Sequence, residues 1–237
     1  MPARNAYTPT WFDLFLASQV PARTDREVAF LTRVLPTPPG RLLDVCCGYG
    51  RHAAPLTEAG YDVVGIDRDE RAIARARSLH AHDRTTFLVH DMTMIRALPG
   101  PFEGIICMWQ SFGYHDADTN ADILRQMARC LVPGGKVVLD LYNRDFFGTR
   151  QGERTTIQEG VEIVTRQRLD GDRLIVDLDY RDHDERETFD WQVFTPHTIT
   201  DLAISVGFEP VLACTAFNEP LPPSPDSPRM QMVFATS

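Results

Sequence analysis

The stretch Leu42-Leu43-Asp44-Val45-Cys46-Cys47-Gly48-Tyr49-Gly50 decides how this chain is read. A short apolar run passes directly into a glycine turn, and a helical pattern follows as far as about Gly60. The same order recurs downstream. A strand from Asp62 to Ile66 leads into a helix from about Asp69, with Ala72, Ile73, Ala76 and Leu79 on one face. Phe87 to Val89 and Gly104 to Trp109 read as third and fourth strands, and Ile123, Leu124, Met127 and Leu131 mark the helix after them. Pro133-Gly134-Gly135 turns into a fifth strand, Lys136 to Leu141. Strands alternating with helices in this way predict a parallel sheet joined by right-handed crossovers.

Beyond Tyr142 the period changes. From about Gly152 to Phe194 apolar and polar residues alternate, as in Val161 and Ile163, then Leu174, Val176, Leu178 and Tyr180, across the turn Asp170-Gly171-Asp172. This predicts an antiparallel insert, with the charged run Arg181 to Glu187 as a solvated turn. Thr195-Pro196 starts a helix that Gly207 stops, and Pro210 to Ala213 and Met230 to Ala235 are the last strands. The expected fold is α/β: a doubly wound, mostly parallel seven-stranded sheet, Rossmann-like, with an antiparallel insert after strand five. Upstream, Trp11, Phe12, Leu14, Phe15 and Leu16 belong to one helix. Thr24-Asp25-Arg26-Glu27 has capping-box spacing and opens a second, which runs to Leu35 and is ended by Pro36, Pro38, Pro39 and Gly40. A single domain over 1–237 is expected, with 1–40 as a helical lid and 152–194 as an acceptor wall or dimer contact. The edge of the insert needs cover. Either a homodimer partner buries Val161, Ile163, Leu174 and Val176, or the insert folds back as a lid.

Composition narrows the partners. With 237 residues, 43% of them hydrophobic, the chain can bury a full core, and a formal charge of −9 argues against nucleic acid as the principal ligand. The first residues lack a cleavable apolar core, and no apolar run reaches the roughly 18 to 20 residues that cross a bilayer. A cytoplasmic protein with no membrane partner is expected. The five cysteines, Cys46, Cys47, Cys107, Cys130 and Cys214, read as reduced and mostly buried, and their spacing offers no metal site.

Glycines where a first strand meets its helix let the backbone approach a ligand at the carboxyl edge of a sheet. Asp67 closes the second strand, where a carboxylate can accept both hydrogen bonds of a ribose diol. An adenosine-containing cofactor is implied. Gly48-Tyr49-Gly50-Arg51-His52-Ala53 also fits the G-x-G-x-x-G/A pattern of a dinucleotide site, so a nicotinamide-dependent oxidoreductase remains an alternative. Asp44 favours a cationic cofactor, because a carboxylate at the start of the turn repels a pyrophosphate and attracts an ammonium.

In order and content the run from Arg41 to Tyr142 resembles class I S-adenosylmethionine-dependent methyltransferases. The resemblance implies that Asp44, Cys46, Gly48, Tyr49 and Gly50 approach the amino-acid end of S-adenosylmethionine, that Asp67 takes the ribose hydroxyls and that Arg68 borders the adenine. His90-Asp91-Met92 looks like the adenine-binding acidic segment, making Asp91 and Met92 cofactor contacts; Trp11 and Trp109 are expected beside the cofactor as well. Met108 to Tyr114 is similar to the motif next to the transferable methyl, and Leu131 to Lys136 to the turn before strand five. The family usually has glycine where Cys46 stands. A binding module that keeps the cofactor pocket without catalysis is a second alternative.

Methyl transfer from a sulfonium is an in-line displacement, so the main tasks are alignment and exclusion of water. A hydroxyl acceptor benefits from a base, and histidine is the usual candidate. His115, after the fourth-strand motif, is the preferred base and His197, near the helix start after the insert, the second choice. Tyr114 and Tyr142 are the expected contacts to a small-molecule acceptor. The N-terminal helices and the insert lie where amino-sugar N-methyltransferases, among others, carry an acceptor lid, which is an analogy of fold.

Overall fold

The architecture was obtained as a computed structural model, which describes residues 5–16 and 21–237. The part of the expected N-terminal lid that falls on residues 1–4 and 17–20 lies outside the described residues. Within them, Thr8 caps a single turn, α1 (Pro9–Trp11), which runs into a π-helical turn (Phe12–Leu16). The helix α2 spans Pro21–Val34. Thr24 is therefore inside α2 rather than at its cap, and its hydroxyl instead accepts a hydrogen bond from the Arg51 guanidinium at 2.9 Å.

The main sheet is built from β1 (Arg41–Val45), β2 (Asp62–Asp67), β3 (Thr85–Val89), β4 (Phe102–Cys107), β5 (Leu131–Tyr142), β10 (Phe208–Cys214) and β11 (Arg229–Thr236). Its order is β10-β11-β5-β4-β1-β2-β3, with β1 to β5 parallel and β11 antiparallel to both β5 and β10. Between the strands run α3 (Ala53–Glu58), α4 (Glu70–Leu79), a 3-10 helix (Met92–Ala97), α5 (Ala117–Cys130), α6 (Arg144–Gly148) and α7 (Pro196–Ser205). Local chemistry explains the boundaries. The Asp69 carboxylate accepts from the Arg71 and Ala72 amides and so starts α4, while Asp116 and Thr195 cap α5 and α7. One expected core residue is misplaced, since Leu79 at the end of α4 is 48% exposed.

Leu43, Val45, Ile105, Leu139 and Phe234 face one apolar layer, and Leu42, Val63, Ile106, Val138 and Val233 the other. A parallel sheet buried on both faces has this composition. Strand order reverses between β1 and β4, so a crevice opens beyond their carboxyl ends.

The insert is a separate four-stranded antiparallel meander of β6 (Gly152–Gln158), β7 (Val161–Asp170), β8 (Arg173–Tyr180) and β9 (Glu185–Gln192). Ile163, Leu174, Leu178 and Phe189 form a third apolar cluster together with Leu14 and Phe147. Val161 and Val176 are half-buried against the same cluster. Asn5 covers the β9 edge, donating its amide to the Thr188 carbonyl at 3.0 Å and exchanging side-chain hydrogen bonds with the Asp190 backbone at 2.8 and 3.1 Å. The run Arg181 to Glu187 is only partly a solvated turn. Glu187 is 2% exposed and accepts from the Tyr180 hydroxyl and the Thr8 amide, each at 2.5 Å. Among the described residues no helix is long and apolar enough to cross a membrane.

Candidate active site

A cavity of about 870 Å³ occupies the crevice above β1 and β4 and extends between the N-terminal segment and the insert. Its volume falls toward the upper end of the range for small-molecule sites. The main sheet supplies the floor through Asp44, Asp67, Asp91 and Trp109, and the roof comes from Tyr7, Trp11, Phe189 and Trp191.

On the floor, Asp44 is 1% exposed and its Oδ2 has no hydrogen-bond partner in the protein. Burial pushes its carboxyl up to about 7, opposed by Arg51 and reinforced by Asp67. Arg51 lines the same space. Its Nη1 is held by the buried Glu27 carboxylate at 2.5 Å, while its Nη2 is buried without a partner. Groups that cost free energy to bury in this way belong where a ligand completes them. An α-ammonium would satisfy Asp44 and an α-carboxylate Arg51, so the residues present fit the amino-acid end of S-adenosylmethionine.

The glycine turn is held by Asp67, which accepts from the Gly48 amide at 3.0 Å and from the Asp69 amide at 2.9 Å. Burial raises the Asp67 pKa against these bonds. Gly50 has φ +76, and a Cβ there would lie 2.7 Å from the Phe87 ring. It shapes the loop without lining the cavity, and Tyr49 likewise turns outward to stack on Phe12 at 5.7 Å. These two expected cofactor contacts are not part of the wall. Cys46 is, in the left-handed backbone region at φ +60, with its thiol 3.7 Å from the Met92 sulfur. A glycine would adopt this backbone conformation without strain.

Asp91 caps the 3-10 helix by accepting from the Thr93 amide at 2.8 Å. Burial would raise its pKa, but the two Thr93 hydrogen bonds and nearby His115 and Arg68 hold it below the ordinary value. Arg68 lines the cavity and donates to the Asn5 carbonyl, joining the end of β2 to the N-terminal segment.

Trp109 and Gln110 both have left-handed backbones, φ +58 and +60, directly after β4. One buried carboxylate holds them there. Asp140 on β5, fully buried, accepts from the Trp109 amide at 2.9 Å and the Gln110 side chain at 3.2 Å. Its charge is met by Arg229 and its other oxygen by Gln231 at 2.8 Å, both from β11. A lone acid within the apolar strand Leu139-Asp140-Leu141 was the available sequence signal for this hub. Gly113 closes the motif: at φ +111, a Cβ would meet the Gln192 carbonyl at 2.4 Å.

Among the acceptor-side residues, His115, Tyr114 and Tyr142 line the cavity together. The Tyr114 hydroxyl pairs with that of Tyr7, and Tyr142 stands edge-on to Trp191 at 5.4 Å. His197 does not join them. It sits on the first turn of α7 with its side chain 84% exposed, 3.3 Å from Asp201, and is absent from the cavity wall. Phe189 and Trp191 gave no site signal in the sequence because an aromatic on an alternating strand looks the same whether it packs or lines a site, and Tyr7 gave none because it lies in an irregular segment before α1.

Comparison with known proteins agrees with this geometry. Residues 42–135 match the methyltransferase domain family. A ubiquinone biosynthesis O-methyltransferase of Cereibacter sphaeroides is 29% identical over 199 residues, 83% of this chain and 70% of that one. A glycine/sarcosine N-methyltransferase of Halorhodospira halochloris is 31% identical over 109 residues, 44% of this chain and 41% of the relative. The chain spans less than half the length of several curated relatives that it matches. The CcbJ methyltransferase of Streptomyces caelestis shares the fold, with a TM-score of 0.79 over 96% of each chain at 17% identity. In its sheet with an antiparallel β11, its acidic floor and these matches the chain is similar to class I S-adenosylmethionine-dependent methyltransferases, and residues 42–135 are matched as a methyltransferase domain.

Proposed function

We propose that the chain transfers a methyl group from S-adenosylmethionine to a nitrogen or oxygen nucleophile of a small molecule. The observation that carries this reading is the unpartnered, buried Asp44 carboxylate at one end of a cavity whose other end is walled by aromatic rings. Asp44 takes the ammonium of the amino-acid end, Arg51 its carboxylate, Asp67 the ribose diol, and Arg68, Asp91 and Met92 the adenine. When bound, the cofactor supplies an electrophilic methyl on a sulfonium, which leaves as a neutral thioether.

The chain's own residues orient and shield. Trp109 is fixed by Asp140, and Trp11 lies over it with centroids 5.8 Å apart, an aromatic environment that favours a cation. The roof excludes water from the line of transfer. His115, on the cavity wall, accepts the proton of a hydroxyl acceptor.

A dinucleotide would place its pyrophosphate at the glycine turn, beside Asp44, Asp67 and Asp69, where like charge opposes it. Calorimetric titration decides between the two. Binding of S-adenosylhomocysteine with no response to NAD is expected, and the reverse would defeat the proposal. A screen of small acceptors with labelled S-adenosylmethionine then tests catalysis, since binding without any transfer would support a non-catalytic module.

A further inference from the structure

We propose that, given the methyltransferase reading above, the outer half of the cavity selects a flat aromatic acceptor carrying an anionic oxygen, of which a phenolic carboxylate is the simplest case. Three observations on the wall support this. The first is shape. Phe189 and Trp191 lie nearly parallel with centroids 5.3 Å apart, Tyr7 meets Trp11 at 4.3 Å, and Tyr114 and Tyr142 each approach Trp191 at 5.4 Å. Rings locked against one another leave a slot suited to a planar guest rather than a flexible chain.

The second is the direction of the hydrogen bonds on offer. The Tyr7 and Tyr114 hydroxyls are hydrogen-bonded to each other, one donating and one accepting, and burial, first among the causes, raises the pKa of both. Both phenols stay protonated, so one O–H remains to donate outward. Thr156 and Thr165 add hydroxyls from the insert, and Arg154 on β6 adds the one cation that the insert contributes to the wall among the described residues.

The third is the distribution of charge. The carboxylates lining the cavity are Asp44, Asp67, Asp69 and Asp91, all within or just beyond the carboxyl ends of β1 to β3, at the cofactor end. The N-terminal segment and the insert contribute none among the described residues. The acids behind the β9 rings are committed elsewhere, Glu187 to Tyr180 and Thr8, and Asp190 to Arg173 at 2.7 Å. A protonated amine in this half would have rings but no counter-ion, whereas an anionic oxygen finds Arg154 and a tyrosine donor.

A charge series of one skeleton tests the proposal. The full chain, saturated with S-adenosylhomocysteine, is titrated calorimetrically with 3,4-dihydroxybenzoate, 3,4-dihydroxybenzyl alcohol and 3,4-dihydroxybenzylamine. The expected order is benzoate tightest, by about fivefold over the alcohol as befits a partly solvated ion pair, and amine weakest. Arg154→Gln, on the exposed edge strand, should bring the benzoate down to the alcohol's affinity. It should leave the alcohol, S-adenosylhomocysteine affinity and the melting temperature unmoved. An amine that binds as tightly as the benzoate, an Arg154→Gln effect equal on all three probes, or no saturable binding of the benzoate would each overturn it. Failure of S-adenosylhomocysteine to bind the parent protein is a different result, and counts against the methyltransferase reading itself.

Discussion

Asp67 already holds the glycine turn before any ligand arrives. Its oxygens accept the Gly48 and Asp69 amides, so its removal frees two backbone donors as well as the proposed ribose contacts. Asp67→Ala is expected to weaken S-adenosylhomocysteine binding by about 1.5 to 3 kcal/mol and also to lower stability, whereas Asp67→Asn, which keeps one acceptor, should lose less of both. Calorimetry and urea unfolding of the two variants separate the contributions. Cys46 is a simpler case. At φ +60 a β-branched side chain is strained, so Cys46→Val should cost about 2 kcal/mol in the same unfolding assay and Cys46→Gly less than about 1 kcal/mol. At Asp44, burial raises the carboxyl to about 7, and an arriving ammonium reverses this by favouring the ionised form. Cofactor binding at pH 6.5 is therefore expected to release a proton, seen as heats that depend on the ionisation enthalpy of the buffer. In Asp44→Asn that dependence should vanish. These acids were legible in the sequence because Asp67 closes a strand and Asp44 stands just before the glycine turn, while Arg51 was visible only as one letter of a glycine-rich pattern.

Elements meet at Asp140, where β5, β11 and the turn after β4 share one buried charge. Asp140→Ala would leave the buried Arg229 guanidinium with only the more distant Glu27 carboxylate, at 4.0 Å, as counter-charge and is expected to destabilise by about 3 kcal/mol. Combining it with Arg229→Met should recover more than half of that loss, measured by denaturant unfolding, because the double variant removes both charges. If the turn after β4 depends on Asp140 as the geometry requires, the double variant regains stability without regaining cofactor affinity. The strands of the main sheet were legible from apolar runs between glycine turns, and the insert from its period of two. The N-terminus was less so. Its contacts to Glu187, Asp190 and Tyr114 are made by Asn5, Tyr7 and Thr8, polar or amphipathic residues far from those partners in sequence. A capping-box spacing at Thr24 misdirected the start of α2, because the helix already includes Pro21 one turn earlier.

For the whole molecule, two buried groups respond to pH in opposite senses. Burial, opposed by the Glu27 hydrogen bond, lowers His52 from 6.5 to about 4, so its protonation on unfolding removes stability as pH falls from about 6.5 to 4. Asp44, raised from 3.8 to about 7, binds its proton first in the folded state, so it adds stability as pH falls through the same window. Asp67 and Glu187, also raised by burial, act in the same sense as Asp44, so the melting temperature of the ligand-free protein is not expected to fall on acidification there. His52→Gln should make it rise more steeply than in the parent, and Asp44→Asn should make it rise less or fall. A parent profile that falls steeply from pH 6 to 4.5 would contradict this balance. Below pH 4, Glu27 adds a further loss: despite burial, its bonds to His52 and Arg51 lower it from 4.5 to about 2, and its ion pairs are undone as it protonates. The distance along the chain between Asp140 and Arg229, 89 residues, carries a consequence of its own. As a ribosome lays the chain down, β1 to β5 emerge as a consecutive block, yet the acid that holds the turn after β4 lacks its Arg229 counter-charge until the whole insert, α7 and β10 have been made. The geometry of that turn is therefore among the last things to set, so a nascent chain can gather β1 to β5 early while the wall at Trp109 is still unfixed.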